Sequence, residues 1–411
     1  MISLSKLGAK INHFLSKYKS NQIPNFARTS QHDMIDLSDF LSPKHYIELI
    51  ERSEYQPHQF AQSIDCAQRG YLDINEADIV LLGCGEYRGA DIRSAYSQAP
   101  DRIREAFYKM YNWYPGIALA DLGNIVQGAT LSDTRAALNV VLQEIYSQGK
   151  IAILLGGSQD LTLQQYEVFR RAESPIDMAA VDALIDLDDS EGASFDRSYL
   201  MDLLTGEPNF VRNYSHIGFQ SYYVNPRMLE TLDKLRFDFY RLGVVRDKMD
   251  EMEPVLRNCS VLSIDLSAVR ACDAAFNPLA SPNGFFGDEM CMLTRYAGMS
   301  AQMRSLGIYG YHPENDLSGQ GAQLVAQMIW YFLDGYRIRQ SEAALDQKEQ
   351  FLSFDVPFAD FEAKFVKSRI TNRWWMQLPD GSFIPCSEQD YNLAAQNEIP
   401  ERWIREQERL L

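Results

Sequence analysis

The sequence predicts an α/β protein with a doubly wound, mainly parallel sheet between two layers of helices. Three observations carry that prediction. Short apolar runs ending in Gly or Asp recur at 79–83, 151–156, 178–182, 214–218 and 260–265, as expected of parallel strands buried on both faces. Helical patterns fill several of the gaps between them. With 411 residues, 46% of them hydrophobic and 12% aromatic, the chain can also bury a large core.

The segment 1–75 precedes the first of these strands. Within it, residues 1–32 hold four lysines and one arginine but no acid. Leu4, Leu7, Ile11, Phe14, Leu15 and Tyr18 recur at helical spacing, with Lys6, Lys10, Lys17 and Lys19 around them. This predicts a basic amphipathic helix, either docked as a terminal helix or free to seek a surface or a partner. No continuous apolar run or cleavage signature of a secretory signal follows the lysines.

The α/β region is expected over 76–340. A helix is predicted from Ser132, read as its N-cap, to Gly149, and another from Gln320 to Arg339 with Leu324, Met328, Ile329, Phe332 and Tyr336 on one face. In such a sheet ligands bind beyond the carboxyl ends of the strands, so the polar residues just after each run are the candidate site.

The remaining segment, 341–411, is rich in aromatics. Three of the five tryptophans, Trp374, Trp375 and Trp403, lie there. Asp380-Gly381 is a good hairpin turn between 374–378 and 382–384. These large apolar side chains need burial, either on the chain's own core or against a protein partner or second subunit.

Charge excludes several functions. Fifty-six acidic against 39 basic residues give −17, which repels phosphate backbones, so nucleic acid is not an expected partner. No apolar run is long enough to span a bilayer, leaving the N-terminal helix as the one expected means of membrane contact. The six cysteines are scattered without a CxxC pair, which fits reduced thiols in the cytoplasm. Gly83-x-Gly85-x-x-x-Gly89 has the wrong spacing for a dinucleotide fingerprint, and Cys84 and Cys291 lack a neighbouring base.

The strand ends carry a resemblance. Gly156-Gly157-Ser158-Gln159-Asp160 resembles the Gly-Gly-Asp-His segment of the arginase, agmatinase and formimidoylglutamase family. Asp182-Ala183-Leu184-Ile185-Asp186 resembles its Asp-Ala-His-x-Asp, and Ser263-Ile264-Asp265-Leu266-Ser267 its Ser-Phe-Asp-x-Asp. Asn283 to Glu289 is similar to its Gly-Gly-Leu-Thr-x-x-Glu, and Gly310-Tyr311-His312-Pro313 to its Glu-Val-Asn-Pro. The resemblance implies a three-layer α/β/α fold of the arginase type, and a centre of two Mn²⁺ ions whose bridging water attacks a guanidinium or formimidoyl carbon.

Carried across by the resemblance, the first metal would meet Gln159, Asp182, Asp186 and Asp265; the second would meet Asp182, Leu184, Asp265 and Ser267. Leu184 cannot ligate, Ser267 replaces a carboxylate, and Gly310 stands where an acid would hold the substrate cation. Glu314 and Asp316 are nearby acids that could replace it. The surviving oxygen set suits at most one weakly held Mn²⁺ or Mg²⁺, or no cofactor. Without an ion, the three aspartates are expected to cap turns or pair with a cation, Arg270 being the nearest in sequence. Of the six histidines only His216 and His312 lie in the α/β region, and neither follows the strands at 151 or 178.

The expected function is therefore that of a catalytically inactive binding or assembly protein on a ureohydrolase fold, with the crevice and the C-terminal extension as contact surfaces and a protein or a second copy as partner. The alternative is a hydrolase of formimidoylglutamase or arginase type that works with a single ion.

Overall fold

The structure, a computed structural model, describes residues 37–42, 55–66, 73–90, 98–358 and 361–410. The basic amphipathic helix expected within 1–32 lies outside the described residues.

The main sheet has ten strands: β1 Leu41–Ser42, β2 Asp65–Cys66, β3 Ile79–Cys84, β4 Leu119–Ile125, β5 Ile151–Gly156, β6 Ile176–Val181, β7 Val211–Phe219, β8 Asp238–Arg241, β9 Val261–Asp265 and β10 Ser305–Tyr309. Their order is β1-β4-β3-β5-β10-β9-β6-β7-β8, with β2 also on β4. Every pairing is parallel except β1 on β4. The short strands β1 and β2 show that part of the segment before residue 76 joins the sheet.

Alternation across the sheet explains why these strands read as unbroken apolar runs. Ile79, Leu81, Ile151, Ile153, Leu155, Leu262, Ile264, Leu306 and Ile308 face one core. Val80, Leu82, Ala152, Leu154, Met178, Ala180 and Val261 face the other. Each face is then covered by helices, which completes the three-layer α/β/α fold. The helix expected from Ser132 is Leu131–Ser147, and its cap is Thr130, not Ser132. The Thr130 hydroxyl accepts from the Asp133 N–H at 3.2 Å while the Asp133 carboxylate accepts from the Thr130 N–H at 2.8 Å. This capping box places the cap two residues earlier, because Asp133 reaches back three positions to Thr130.

The helix Gln320–Ser341 leads into a second sheet, antiparallel, of β11 Phe351–Phe358, β12 Phe361–Ser368, β13 Trp374–Gln377 and β14 Phe383–Cys386. The β13–β14 hairpin turns at Asp380-Gly381, with Gly381 at φ +88°. Trp374 packs with Phe365, Met376 and Cys386, while Trp375 packs with Phe351 and Val366. Both rings are buried within their own chain, so Trp374 and Trp375 are not the partner contacts that the sequence allowed for. Trp403, on the last helix Glu401–Leu410, is partly exposed.

Charged clamps fix this extension to the α/β region. The buried Arg257 guanidinium lies 4.6 Å from the Trp375 ring centroid and donates to the Trp374 carbonyl at 2.6 Å. Arg373 approaches the same ring, pairs with Glu342 at 2.9 Å and donates to the Met299 carbonyl at 3.1 Å. Arg402 reaches Glu251 at 3.3 Å. Arg257 and Met299 precede β9 and β10, so the extension docks at the amino ends of the strands.

Replacing Trp375 by Ala removes a buried ring packed near two guanidinium groups and is expected to cost roughly 3–5 kcal/mol in urea unfolding. Trp403→Ala, at a partly exposed position, should cost less than half as much. Equal losses would contradict the packing described.

Candidate functional site

Four adjacent strands, β5-β10-β9-β6, each place one of the sequence-predicted residues at the carboxyl end. Gln159 follows β5, Gly310 follows β10, Asp265 ends β9 and Asp182 follows β6. Two glycines allow the backbones to meet there. A Cβ at Gly157 would fall 1.7 Å from the Glu86 carbonyl oxygen, and Gly310 has φ +77° with its missing Cβ 3.1 Å from an Asp265 carboxylate oxygen.

The structure brings Gln159, Asp182, Asp186, Asp265 and Ser267 into one network. Asp182 and Asp186 are buried, as are Gln159 and Ser267, while Asp265 is partly exposed. The Gln159 amide nitrogen donates to Asp182 at 2.9 Å and to Asp186 at 3.2 Å, and its oxygen accepts from the Ser263 hydroxyl at 3.2 Å, the amide orientation that satisfies all three partners. The Ser267 hydroxyl donates to Asp182 at 3.3 Å. Backbone N–H groups add to this, from Leu184 to Asp182 at 3.0 Å and from Ser267 to Asp265 at 2.6 Å. The last bond closes an Asx turn, which is why a short 3₁₀ turn begins at Leu266.

Burial dominates the electrostatics. It pushes the Asp182 carboxyl from 3.8 up to about 7, helped by repulsion from Asp265 and opposed by the Leu184 N–H, a hydrogen bond with Asp186 and the Arg197 charge. Asp186 is held well above the usual carboxylate range by burial, then by the charge of Asp182 and their hydrogen bond. Burial raises Asp265 too, against the Ser267 donors and Arg197. Burial and mutual repulsion thus both favour the protonated form of a carboxyl in this pair.

The cation facing this network is Arg197, from the helix Phe195–Thr205. Arg270, the neutraliser expected from sequence, pairs instead with Asp273 at 3.0 Å and lies 3.9 Å from the Phe286 ring centroid. Sequence reasoning also missed Tyr214 and His216. They alternate along β7, so they share one face, and β7 lies beside β6 with His216 opposite Ala180. Tyr214 and Tyr199 lie close enough to Asp182 and Asp186 for those charges to raise their phenols. The His216 Nδ1 meets the Tyr214 hydroxyl at 2.9 Å. Burial lowers that imidazole to about 4, only partly offset by the carbonyl groups of Asp182 and Leu184. His312, on the loop after β10, faces Glu314 at 3.6 Å. Asp316 accepts from the Tyr311 hydroxyl at 2.8 Å and the Ala322 N–H at 3.0 Å, so it is committed locally and does not replace the acid missing at Gly310.

These residues do not fit a two-metal centre. Leu184 offers no donor atom and Ser267 only a hydroxyl, while the Gln159 amide, turned as the ion-free network requires, points its N–H groups at two of the carboxylates. Among the described residues no group of three or more His, Cys, Asp or Glu side chains is arranged to hold a metal ion. For one ion to bind, the Gln159 amide would have to turn over and Asp186 would have to lose its proton. All six cysteines are free, and no helix among the described residues is long and apolar enough to cross a membrane.

The sequence profile of the arginase family matches residues 77–334. No curated protein matches the sequence. Among solved structures, formiminoglutamase from Trypanosoma cruzi with Mn²⁺ superimposes at a TM-score of 0.60 and 17% identity, covering 65% of this chain and 95% of that one. Formimidoylglutamase from Bacillus subtilis gives 0.59 at 15% identity, covering 80% and 98%. Agmatine ureohydrolase from Thermoplasma volcanium gives 0.54 at 21%, covering 71% and 97%. The likeness to these three is one of fold.

The raised carboxyls set a pH dependence. A carboxyl whose folded pKa exceeds its unfolded value favours folding most below the unfolded value, and that contribution is lost as pH rises from 3.8 through about 7. Asp182→Asn should therefore raise the melting temperature relative to the parent more at about pH 8 than at about pH 5. His216, depressed from 6.5 to about 4, acts with the opposite sign on acidification. An Asp182→Asn effect of the same size at both pH values would refute the raised pKa of this carboxyl.

Proposed function

Since the chain belongs to the arginase family, we propose that it uses the ureohydrolase framework as a binding or assembly protein, not as a two-metal hydrolase. The observation that carries this reading is the Gln159 amide, whose N–H groups satisfy Asp182 and Asp186 where the resemblance calls for an imidazole. Leu184, Ser267 and Gly310 remove two further metal ligands and the acid that would hold a substrate cation. With its carboxylates neutralised from within, the crevice keeps its shape without an ion. The partner is a protein or a second copy of this chain, in a cytoplasmic setting that fits the free cysteines.

A second reading keeps some catalysis. Asp182, Asp186 and Asp265 remain within one network, which supports a single weakly held Mn²⁺ or Mg²⁺ and residual hydrolysis of a linear amidine.

Metal analysis of the purified protein, with assays against arginine, agmatine and N-formimidoylglutamate, separates the two. The expected result is at most about one loosely bound divalent ion per chain, removed by mild chelation with little change in melting temperature, and no turnover. Two tightly held Mn²⁺ ions would sink the proposal, and turnover that depends on one ion would favour the second reading. Restoring ligands by Gln159→His, Leu184→His and Ser267→Asp together should create measurable Mn²⁺ affinity.

A further inference from the structure

The loops that follow β6, β7 and β8 carry exposed side chains of three kinds in a fixed arrangement. β7 lies between β6 and β8, and Tyr222 and Tyr223 stand just beyond its carboxyl end, 62% and 51% exposed. Both rings are held. They meet edge to face at 4.7 Å, the Tyr222 hydroxyl donates to the Gln220 side-chain oxygen, and the Tyr223 hydroxyl meets Ser281 at 3.2 Å. Gln220 is itself buried, with its N–H on the Ala183 carbonyl at 2.9 Å and its amide on the Asn283 carbonyl at 3.0 Å. Scattered exposed apolar residues need no explanation. Two large rings fixed in water by their own hydroxyls lose little conformational freedom on contact, which suits them as anchors of an interface.

Charge is distributed on either side of this pair. The loop after β6 has Asp188, Asp189 and Glu191 between Asp186 and Asp196 with no basic residue, and Asp189 and Glu191 are exposed. Ile185 and Leu187 belong to the core on one face of the sheet, so the loop leaves on that face. Arg241 ends β8, and the helix Leu242–Asp247 follows with Leu242 and Val245 in the core of the other face. Arg241 and Lys248 are exposed there against one exposed acid, Asp247, while Arg246 is taken up by Glu289 at 3.0 Å. Val244 adds an exposed apolar side chain beside them. Among the described residues, Asp189, Glu191, Arg241 and Lys248 have no ion pair.

The acidic and basic groups are therefore diagonal to one another. The first stands one strand to one side of β7 and on one face of the sheet, the second one strand to the other side and on the opposite face. A two-fold axis along β7 exchanges sides and faces together, so the acidic loop of one copy arrives at the basic end of β8 in the other, and the contact is made twice. The tyrosine pairs meet at the axis. Such a surface is self-complementary, as an isologous contact requires, whereas an unrelated partner would need both signs and an apolar centre laid out on the same diagonal. Since β6 and β8 are only about 10 Å apart at the usual strand spacing, the face is small and the contact belongs to the transient class.

We propose that a second copy of this chain docks on this face about a two-fold axis along β7, Tyr222 and Tyr223 packing on their own counterparts while Asp189 and Glu191 of each copy meet Arg241 and Lys248 of the other. The inference rests on the reading of the crevice end as a contact surface and names the partner. It holds whether or not the carboxylates bind an ion.

The test is sedimentation of the full chain over a range of concentrations. The parent should dimerise reversibly, and more weakly at about 0.5 M salt. Charge is then reversed on one side at a time, by Asp189→Arg with Glu191→Arg in one variant and by Arg241→Glu with Lys248→Glu in another. Each variant alone sets like charges against each other and should raise the dimer dissociation constant roughly tenfold. An equimolar mixture of the two restores opposite charges at both contacts and should recover the parent value. Tyr222→Asp should weaken the dimer in every background. A parent that stays monomeric at every concentration would overturn the proposal and give the surface to a different protein. So would reversals that leave the constant unchanged, or that weaken the dimer without recovery in the mixture. Amidine turnover by a dimer that passes the mixing test would instead contradict the binding reading and leave the interface standing, so the two fail separately.

Discussion

Three carboxyl groups at the ends of neighbouring strands are the constraint around which this molecule is arranged. An ionised carboxylate taken out of water is destabilising by several kcal/mol unless charge or hydrogen bonds compensate. The resemblance implies two cations for that task. Here burial favours protonation within the Asp182–Asp186 pair, and the donors are the Gln159 amide, the Ser267 hydroxyl and two backbone N–H groups, with the Arg197 charge acting on all three carboxyls. The departures from the family pattern are consistent with one another. Beside a divalent ion the N–H groups of Gln159 would be repelled; beside protonated or partly charged carboxyls they bind. Gln159 and Ser267 therefore make physical sense as a set in an ion-free network.

That substitution is tolerated because the fold does not depend on it. The strands are fixed by alternating burial on two apolar faces, and the helices by packing against those faces, through residues other than the carboxyls. Gly157 and Gly310 tie the backbone to the crevice, through close approaches that a side chain would block. Core packing and site chemistry thus occupy different residues. The framework persists at 15–21% identity to three solved structures, one of which holds Mn²⁺.

The amino ends of the strands show the opposite tendency. There the additional sheet β11–β14 and the last helix are held by buried arginines. Arg257 and Arg373 each combine an ion pair, a carbonyl acceptor and the face of Trp375. A planar guanidinium can satisfy all three at once, which an ammonium group cannot. The extension is thus anchored at the end of the sheet opposite the crevice.

The sequence made legible whatever is local or periodic. Strand runs, the residues following them and the Asp380-Gly381 turn all depend on short-range pattern, and the structure places them where pattern predicted. What stayed hidden depends on which strands become neighbours. Tyr214 and His216 approach Asp182 only because β7 pairs with β6, a fact that no spacing within residues 211–219 contains. Arg197 and Arg270 make the point most sharply. Arg270 is close to Asp265 in sequence, but Asp273 lies three residues away and the Phe286 ring offers a second surface, so the shortest loop wins the guanidinium. Arg197 lies on the helix Phe195–Thr205, eleven residues beyond Asp186, and its charge acts on all three carboxyls. Choice of ionic partner is a competition among everything within a few ångströms. A chain read alone shows the competitors that are near in sequence and not those that are near in space.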